Sequence, residues 1–272
     1  MKNIKSWLLT ISLSVFVVTF YSACSDGGGV NLFSLSDDKE LGKQTRDQIL
    51  ANPTEYPMWD EAQYPAAYGH LRRIRDRILN GGAVNHKDDF DWEVYIIHDD
   101  ATLNAFCVPG GYIFVYTGII KYLDAEDDFA GVLGHEIAHA DLRHSTDAMT
   151  TQYGLSTLLS VVLGSAAQST VTQISASLLT LSFSRANETQ ADKYSVKYLC
   201  NTGYASNGAA SFFQKLINSQ QAGNTPAFLS THPNPDNRVG NINTEAANLG
   251  CSTTPDANAV STWANFKASI PQ

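Results

Sequence analysis

His135-Glu136-Ile137-Ala138-His139 restricts what this chain can become more than any other segment. On a helix, residues four apart share a face, so both imidazoles can reach one cation from consecutive turns. Glu136 lies about 100° round the helix from His135, where its carboxylate can hold and deprotonate a water instead of binding the cation. The flanks predict that helix. Asp124 is the expected N-cap, and the acids that follow suit the positive end of a helix dipole. Phe129, Val132, Leu133, Ile137 and Ala140 recur at three- and four-residue spacing. Arg143 and His144 arrive where a helix C-terminus favours cations. The helix is therefore expected over about 125–143, with the motif in its buried second half. A charged carboxylate on a mostly apolar helix is costly unless a cation or donor meets it, which argues against Glu136 as an ordinary acid.

A catalytic zinc needs three protein ligands and an open position for water. The segment from Ser184 to Asp192 has good helix formers, no Pro or Gly, and two acids at i and i+4. Glu188 can complete a His₂Glu site. Asp192, one turn on, can accept the free ring N–H of a ligand histidine and so fix its tautomer. Taken alone, the pair reads first as a solvated acidic face, the usual fate of such acids.

Together, Gly134-His135-Glu136-Ile137-Ala138-His139 and Ser184-Arg185-x-x-Glu188-x-x-Ala191-Asp192 resemble the gluzincin metallopeptidase family of CAAX prenyl endopeptidases, HtpX-type heat-shock proteases and bacterial periplasmic metalloproteases. Asn104-Ala105-Phe106 with Pro109 to Val115 upstream, and Thr231-His232-Pro233 with Arg238 downstream, extend the likeness from about residue 35 to about 245. The resemblance implies an α+β fold, a mostly helical zincin-type domain with a small mixed sheet whose edge strand flanks the active-site helix. It implies one Zn²⁺ per chain held by His135, His139 and Glu188, with Glu136 as catalytic base and Asp192 behind a ligand. It places the substrate-pairing edge at Asn104–Val108, with Asn104, Ala105 and Phe106 as contacts. It also points to His232 and Arg238 as the groups that meet the developing oxyanion. His232 sits in a proline-stiffened loop; there it could instead reach the zinc as a fourth ligand and silence the resting enzyme. His144 is a further candidate beside the site.

Elsewhere, residues 92–97 and 112–116 read as strands, the second following a Pro109-Gly110-Gly111 turn. An extended peptide can pair with an exposed sheet edge. Residues 41–50 and 68–79 read as helices; the second bears Arg72, Arg73, Arg75 and Arg77, most simply a solvated face. Gly203 is expected to end the helix carrying Glu188, and 209–217 to form another. The apolar stretch 149–183 is interrupted by Ser, Thr, Gln and Gly, short of the roughly twenty apolar residues a membrane span requires. It is read as two helices packed over the active-site helix, or as a lid.

Lys2 and Lys5, an apolar run from Trp7 to Tyr21, then Ser22-Ala23-Cys24 predict a secretory signal over 1–23 and acylation at Cys24, as in bacterial lipoproteins. Residues 24–34 would be a flexible tether, 35–245 the metallopeptidase domain and 246–272 a C-terminal tail packed on it. The chain carries a net charge of −9 at pH 7, and losing residues 1–23 would remove two lysines and no acid. Such a surface excludes nucleic acid as a partner and leaves the lipid anchor as the expected membrane contact. With Cys24 acylated, Cys107, Cys200 and Cys251 permit one disulfide. Cys200–Cys251 is the preferred pair, although connectivity is not readable from sequence. The expected function is zinc-dependent hydrolysis of internal peptide bonds in misfolded or unassembled envelope proteins, on the periplasmic side and anchored, by expectation, in the outer membrane. The alternative is an envelope chaperone that chiefly binds unfolded outer-membrane proteins.

Overall fold

A computed structural model describes residues 31–271 apart from 154, 163, 165, 222–226 and 234–236. The expected signal peptide and Cys24, and most of the tether, lie outside the described residues. Helix α1 (Leu35–Leu50) opens on a capping box: Ser34 Oγ accepts the Asp37 N–H while Asp37 accepts the Ser34 N–H at 2.7 Å. Helix α2 (Pro65–Leu79) starts on proline, whose missing N–H costs nothing in a first turn. Both begin earlier in the chain than the apolar periodicity alone predicts.

Three strands follow: β1 (Val94–Ile97), β2 (Ala105–Val108) and β3 (Tyr112–Tyr116). Their spatial order is β1-β3-β2, with β1 parallel to β3 (Val94 beside Ile113) and β2 antiparallel to it (Ala105 beside Val115). The β2–β3 hairpin turns on Gly110 and Gly111 at φ +78° and +86°, a region L side chains rarely adopt. The sheet is thus mixed, and β2 is an edge strand.

Short α3 (Thr117–Tyr122) leads into α4 (Glu126–Asp141), which carries the H-E-x-x-H motif. Every residue of α4 except Asp128 is buried, the condition of a helix covered on all sides. Its N-cap is Ala125, with no side-chain cap; Asp124 instead pairs with Lys215 at 2.8 Å, so the expected aspartate cap is not formed. The first-turn acids are otherwise engaged: Glu126 with Arg73, and Asp127 with the Ala205 N–H at 2.6 Å. Around α4 lie β2, α2, α8 (Arg185–Leu199), α9 (Gly208–Gln221) and, at the end of the chain, α12 (Ala259–Ala268). Gly131 and Gly208 allow α4 and the start of α9 to touch backbone to backbone; a Cβ on either would overlap the other's main chain. Trp263 and Phe266 of α12 join Phe129 in this core.

The remaining helices are α5 (His144–Gln152), α6 (Leu155–Val162), α7 (Gln168–Ser177), α10 (Phe228–Thr231) and α11 (Arg238–Asn248), with a 3₁₀ turn at Leu178–Thr180. Stretch 149–183 does not form two helices over α4. Its short helices build a separate cluster on α1, in which Met149, Leu158, Ile174 and Leu178 meet Phe33 and Leu41. Polar residues interrupt each apolar face, so each short helix gives this cluster only one or two buried apolar side chains. Among the described residues no helix is long and apolar enough to cross a membrane.

Of the arginines of α2, Arg72 pairs with Glu61 at the surface, as a solvated face would, whereas the other three reach into the fold. Arg73 grips buried Glu126, Arg75 donates to the Trp92 carbonyl at 2.6 Å, and Arg77 donates to the Thr202 carbonyl while lying over the Tyr204 ring. Their partners are distant in sequence, where no periodicity can find them. Cys200 and Cys251 are disulfide-bonded and Cys107 is a buried free thiol. Gly203 (φ +79°) lies in the turn beyond α8, which itself ends at Leu199.

Candidate metal centre and active site

Local sequence aims the two histidine rings. His135 and His139 are wholly buried, one turn apart on α4, with their Nε2 atoms 3.0 Å from each other. A second capping box starts the facing helix: Ser184 Oγ accepts the Asn187 N–H at 3.1 Å and Asn187 accepts the Ser184 N–H at 3.2 Å. One turn later Glu188, also wholly buried, stands with its carboxylate 3.4 Å from His135 Nε2 and 3.3 Å from His139 Nε2. Donor atoms at the corners of a zinc tetrahedron are about 3.3 Å apart, given Zn–N and Zn–O bonds near 2.0–2.1 Å. Two facing imidazole nitrogens and a carboxylate converging at that spacing make the donor set of a divalent cation, and the residues fit zinc.

The sequence leaves the fourth corner to solvent or, in a silenced resting state, to His232. In the structure His232, between α10 and α11, brings Nδ1 to 3.4 Å from His135 Nε2 and 3.0 Å from Glu188 Oε1. His135, His139, Glu188 and His232 therefore form a four-residue group able to hold a metal ion. Phe228 stacks on the His232 ring at 4.2 Å, and Phe183 stacks on His139 at 3.9 Å. These rings exclude water from the histidine faces.

Behind the donors lie two dissimilar supports. His135 Nδ1 is 2.9 Å from Asp192 Oδ1, as the i+4 spacing from Glu188 predicts. Arg238 locks that carboxylate: Nε reaches Asp192 Oδ2 at 2.7 Å while Nη2 donates to Asp192 Oδ1 at 2.8 Å and to Glu188 Oε2 at 2.9 Å. The guanidinium carbon lies over the Phe213 ring, 3.4 Å from its centroid, and Nη1 is buried with no hydrogen-bond partner. His139 Nδ1 instead faces His144 Nδ1 at 2.9 Å, a contact to which sequence reasoning gave only proximity.

Electrostatics follow the burial. Desolvation pushes the Glu136 carboxyl up to about 7, with His232 opposing the rise and Glu188 adding to it. Against its own desolvation, Glu188 is held far below the carboxylate range by His232, His135 and His139. Desolvation lowers His135, but Asp192 and Glu188 outweigh it and raise the ring above its ordinary value. Burial takes His139 well below its ordinary value and His144 down to about 4.

Glu136 Oε1 is buried without a partner, 3.7 Å from His232 Nε2, and the backbone N–H of Cys107 on β2 is directed to the same carboxylate. Asn104, just before β2, has its Oδ1 buried and unpartnered; Ala105 and Phe106 begin the edge strand. Between β2 and the segment Leu178–Phe183 lies a cavity of about 60 Å³, reached by Asn104, Phe106, Phe183 and His232.

A buried helix bearing two histidines and a glutamate, completed by a glutamate from a second helix and flanked by an edge strand, defines the gluzincin class of metallopeptidases. The chain belongs to peptidase family M48, a zinc-dependent family whose sequence profile matches residues 65–246. It is 31% identical over 227 residues to the mitochondrial metalloendopeptidase OMA1 of Schizosaccharomyces pombe, covering 82% of this chain and 65% of that protein. It is 33% identical over 219 residues to the beta-barrel assembly-enhancing protease of Yersinia pestis, covering 74% of this chain and 44% of that one. The corresponding protein of Escherichia coli K12 is 28% identical over 165 residues, 56% of this chain and 34% of that protein. The chain thus spans less than two thirds of the length of each of these relatives.

Proposed function

We propose that this chain is a zinc-dependent endopeptidase acting on misfolded or unassembled proteins of the cell envelope. The observation that carries the reading is the tetrahedral spacing of the His135, His139 and Glu188 donor atoms beside a buried, unpartnered Glu136 oxygen. Zinc bound there would polarise the scissile carbonyl and acidify the attacking water. Glu136 takes the water's proton on Oε1, which is buried and unpartnered, and later delivers it to the leaving amine. Arg238 Nη1, buried and without a partner, is the donor we assign to the developing oxyanion. Substrate lies along the free edge of β2 as an added strand, its main chain giving affinity and the Asn104 side chain a further contact. A cavity of about 60 Å³ holds no such strand, so Leu178–Phe183 moves aside to admit one. An extended, unpaired segment is what that cleft accepts, which favours unfolded clients. The envelope location, on the periplasmic side, rests on the Lys2–Cys24 signal and on the names of the bacterial relatives.

The test is turnover of unfolded casein by the full chain and by Glu136→Gln, with zinc and then with chelator. Wild-type cleavage is expected to stop in chelator and return with zinc, while Glu136→Gln falls by about 10²- to 10⁴-fold. Equal turnover by both proteins would remove the assigned base. Binding of casein without cleavage by either would move the chain to the chaperone reading.

A further inference from the structure

We propose that His144 is a positioning residue for the metal centre: with Gln190 behind it, it fixes the tautomer of His139 and so holds the His139 Nε2 lone pair towards the cation. The inference rests on the zinc reading above and deepens it.

The backbone makes the contact possible. In an unbroken helix a residue five positions after His139 would lie about 140° round from it and face away. Helix α4 stops at Asp141, and Arg143 adopts φ +60°, a left-handed conformation rare for a residue with a side chain. That break reverses the chain and starts α5 on His144, whose ring returns to His139 with centroids 4.9 Å apart. Arg143 is secured in this conformation by its guanidinium, which binds both Asp38 and the Phe33 carbonyl. The cost of the strained residue is offset far from the metal.

Hydrogen-bond bookkeeping then admits one arrangement. His139 Nε2 faces His135 Nε2 and the Glu188 carboxylate, so as a ligand it presents a lone pair there and carries its proton on Nδ1. The His139 Nδ1–H points at His144 Nδ1, 2.9 Å away, and two N–H groups cannot face each other at that distance. His144 Nδ1 therefore accepts, its proton sits on Nε2, and that N–H donates to Gln190 Oε1 at 3.0 Å. With the relay in this order, the His139 Nε2 lone pair is left for the cation. The relay also closes a circuit from α4 through α5 to α8, the helix that supplies Glu188. His135 has a carboxylate in the equivalent place and His139 a neutral ring, so the two histidines are supported by groups of different strength.

Zinc affinity of the full chain, measured by competition with a chelator, tests this together with nitrogen NMR shifts of His139 in the zinc-free protein. His144→Ala is expected to weaken zinc binding by about 10-fold, the lower end of what losing a ligand's supporting group costs. It should also move His139 from the Nδ1–H tautomer to a mixture. His144→Asn, whose Oδ1 can replace the accepting nitrogen, should recover most of the affinity and the tautomer. Gln190→Leu, further from the metal, should give a smaller loss and covers the case in which His144→Ala does not fold. Wild-type affinity in His144→Ala, or failure of His144→Asn to exceed His144→Ala when both melt like wild type without zinc, overturns the inference. Wild-type protein that binds no zinc overturns the metal reading as well.

Discussion

The core around α4 and α8 and the smaller cluster under α5–α7 meet the same need, covering a helix, by unequal means. In the first, buried charges are tied across the fold: Glu126 to Arg73 and Tyr204, Asp192 to Arg238, and Asp141 to the Asn85 and His86 N–H groups and the Tyr198 hydroxyl. In the second, several hydroxyls bond within their own helix, as Thr151 does to the Asp147 carbonyl and Ser177 to the Ile174 carbonyl. Such bonds satisfy the side chain but join nothing to anything else. The cap is held to the remainder by its small apolar cluster, by His144, and by a few contacts such as Phe183 N–H to the Thr231 carbonyl at 3.0 Å. Segments with few buried apolar contacts open at lower free energy than the global fold. The proposed chemistry therefore sits on the rigid part and the admission of substrate on the soft part.

The largest expected effect tests the rigid side. Glu188→Ala removes a donor and leaves Arg238 and three histidines around a buried gap. Its zinc affinity should fall by more than the roughly 10- to 100-fold typical of losing a group behind a ligand, and metal analysis of the purified protein should find well under one zinc per chain. Retention of stoichiometric zinc would mean that the rigid core does not hold the cation as assigned.

His232 lies where the two regions meet, with Phe183 of the cap against its ring and Glu188 of the core against Nδ1. Its position at the fourth corner favours a resting block over a role in turnover alone. His232→Ala is expected to raise basal casein turnover on the order of 10-fold, the equivalent of about 1.4 kcal/mol of removed competition. A fall of about 10²- to 10³-fold instead would assign His232 to the oxyanion.

What was legible beforehand follows the same division. The H-E-x-x-H helix, the helix formers that carry Glu188, the Gly110-Gly111 hairpin and the Asp192 contact are local patterns, and local patterns are what spacing encodes. Apolar periodicity shows that a face is covered without showing by what, which is why 149–183 was expected over α4 and lies on α1. Arg73 and Arg77 of α2 bond to groups, Glu126 and the Thr202 carbonyl, that are more than fifty residues away. The His144 contact depends on a left-handed Arg143, and a residue with a side chain carries no signal for that conformation. The fourth corner depends on the path of the His232 loop.

Apolar truncations sharpen the contrast. Phe129→Ala, in the ring cluster with Trp263 and Phe266, should cost about 3–5 kcal/mol of global stability. Leu158→Ala, in the cap, should cost about 2 kcal/mol or less. Its effect should appear as faster amide exchange confined to α5–α7, with zinc affinity unchanged. Equal losses of melting temperature from the two would show one cooperative unit rather than two.

The smallest expected effect is one of sign. Glu126, in the core, is desolvated, but Arg73 and Tyr204 outweigh that and set its carboxyl below the ordinary value of 4.5. Its contribution to stability is present above pH 4.5 and is lost as pH falls through the lower folded value. Asp38, which joins α1 to the break before the cap, is desolvated more strongly than Arg143 compensates, and its carboxyl is raised above 3.8. A raised carboxyl stabilises the fold below its unfolded value and loses that contribution as pH climbs through the folded one. Denaturant melts of wild type against Glu126→Gln should therefore converge on acidification from pH 6 towards pH 3, whereas against Asp38→Asn the wild type should gain ground. The same sign for both variants would show that the two buried carboxylates, and the regions they hold, are not built differently after all.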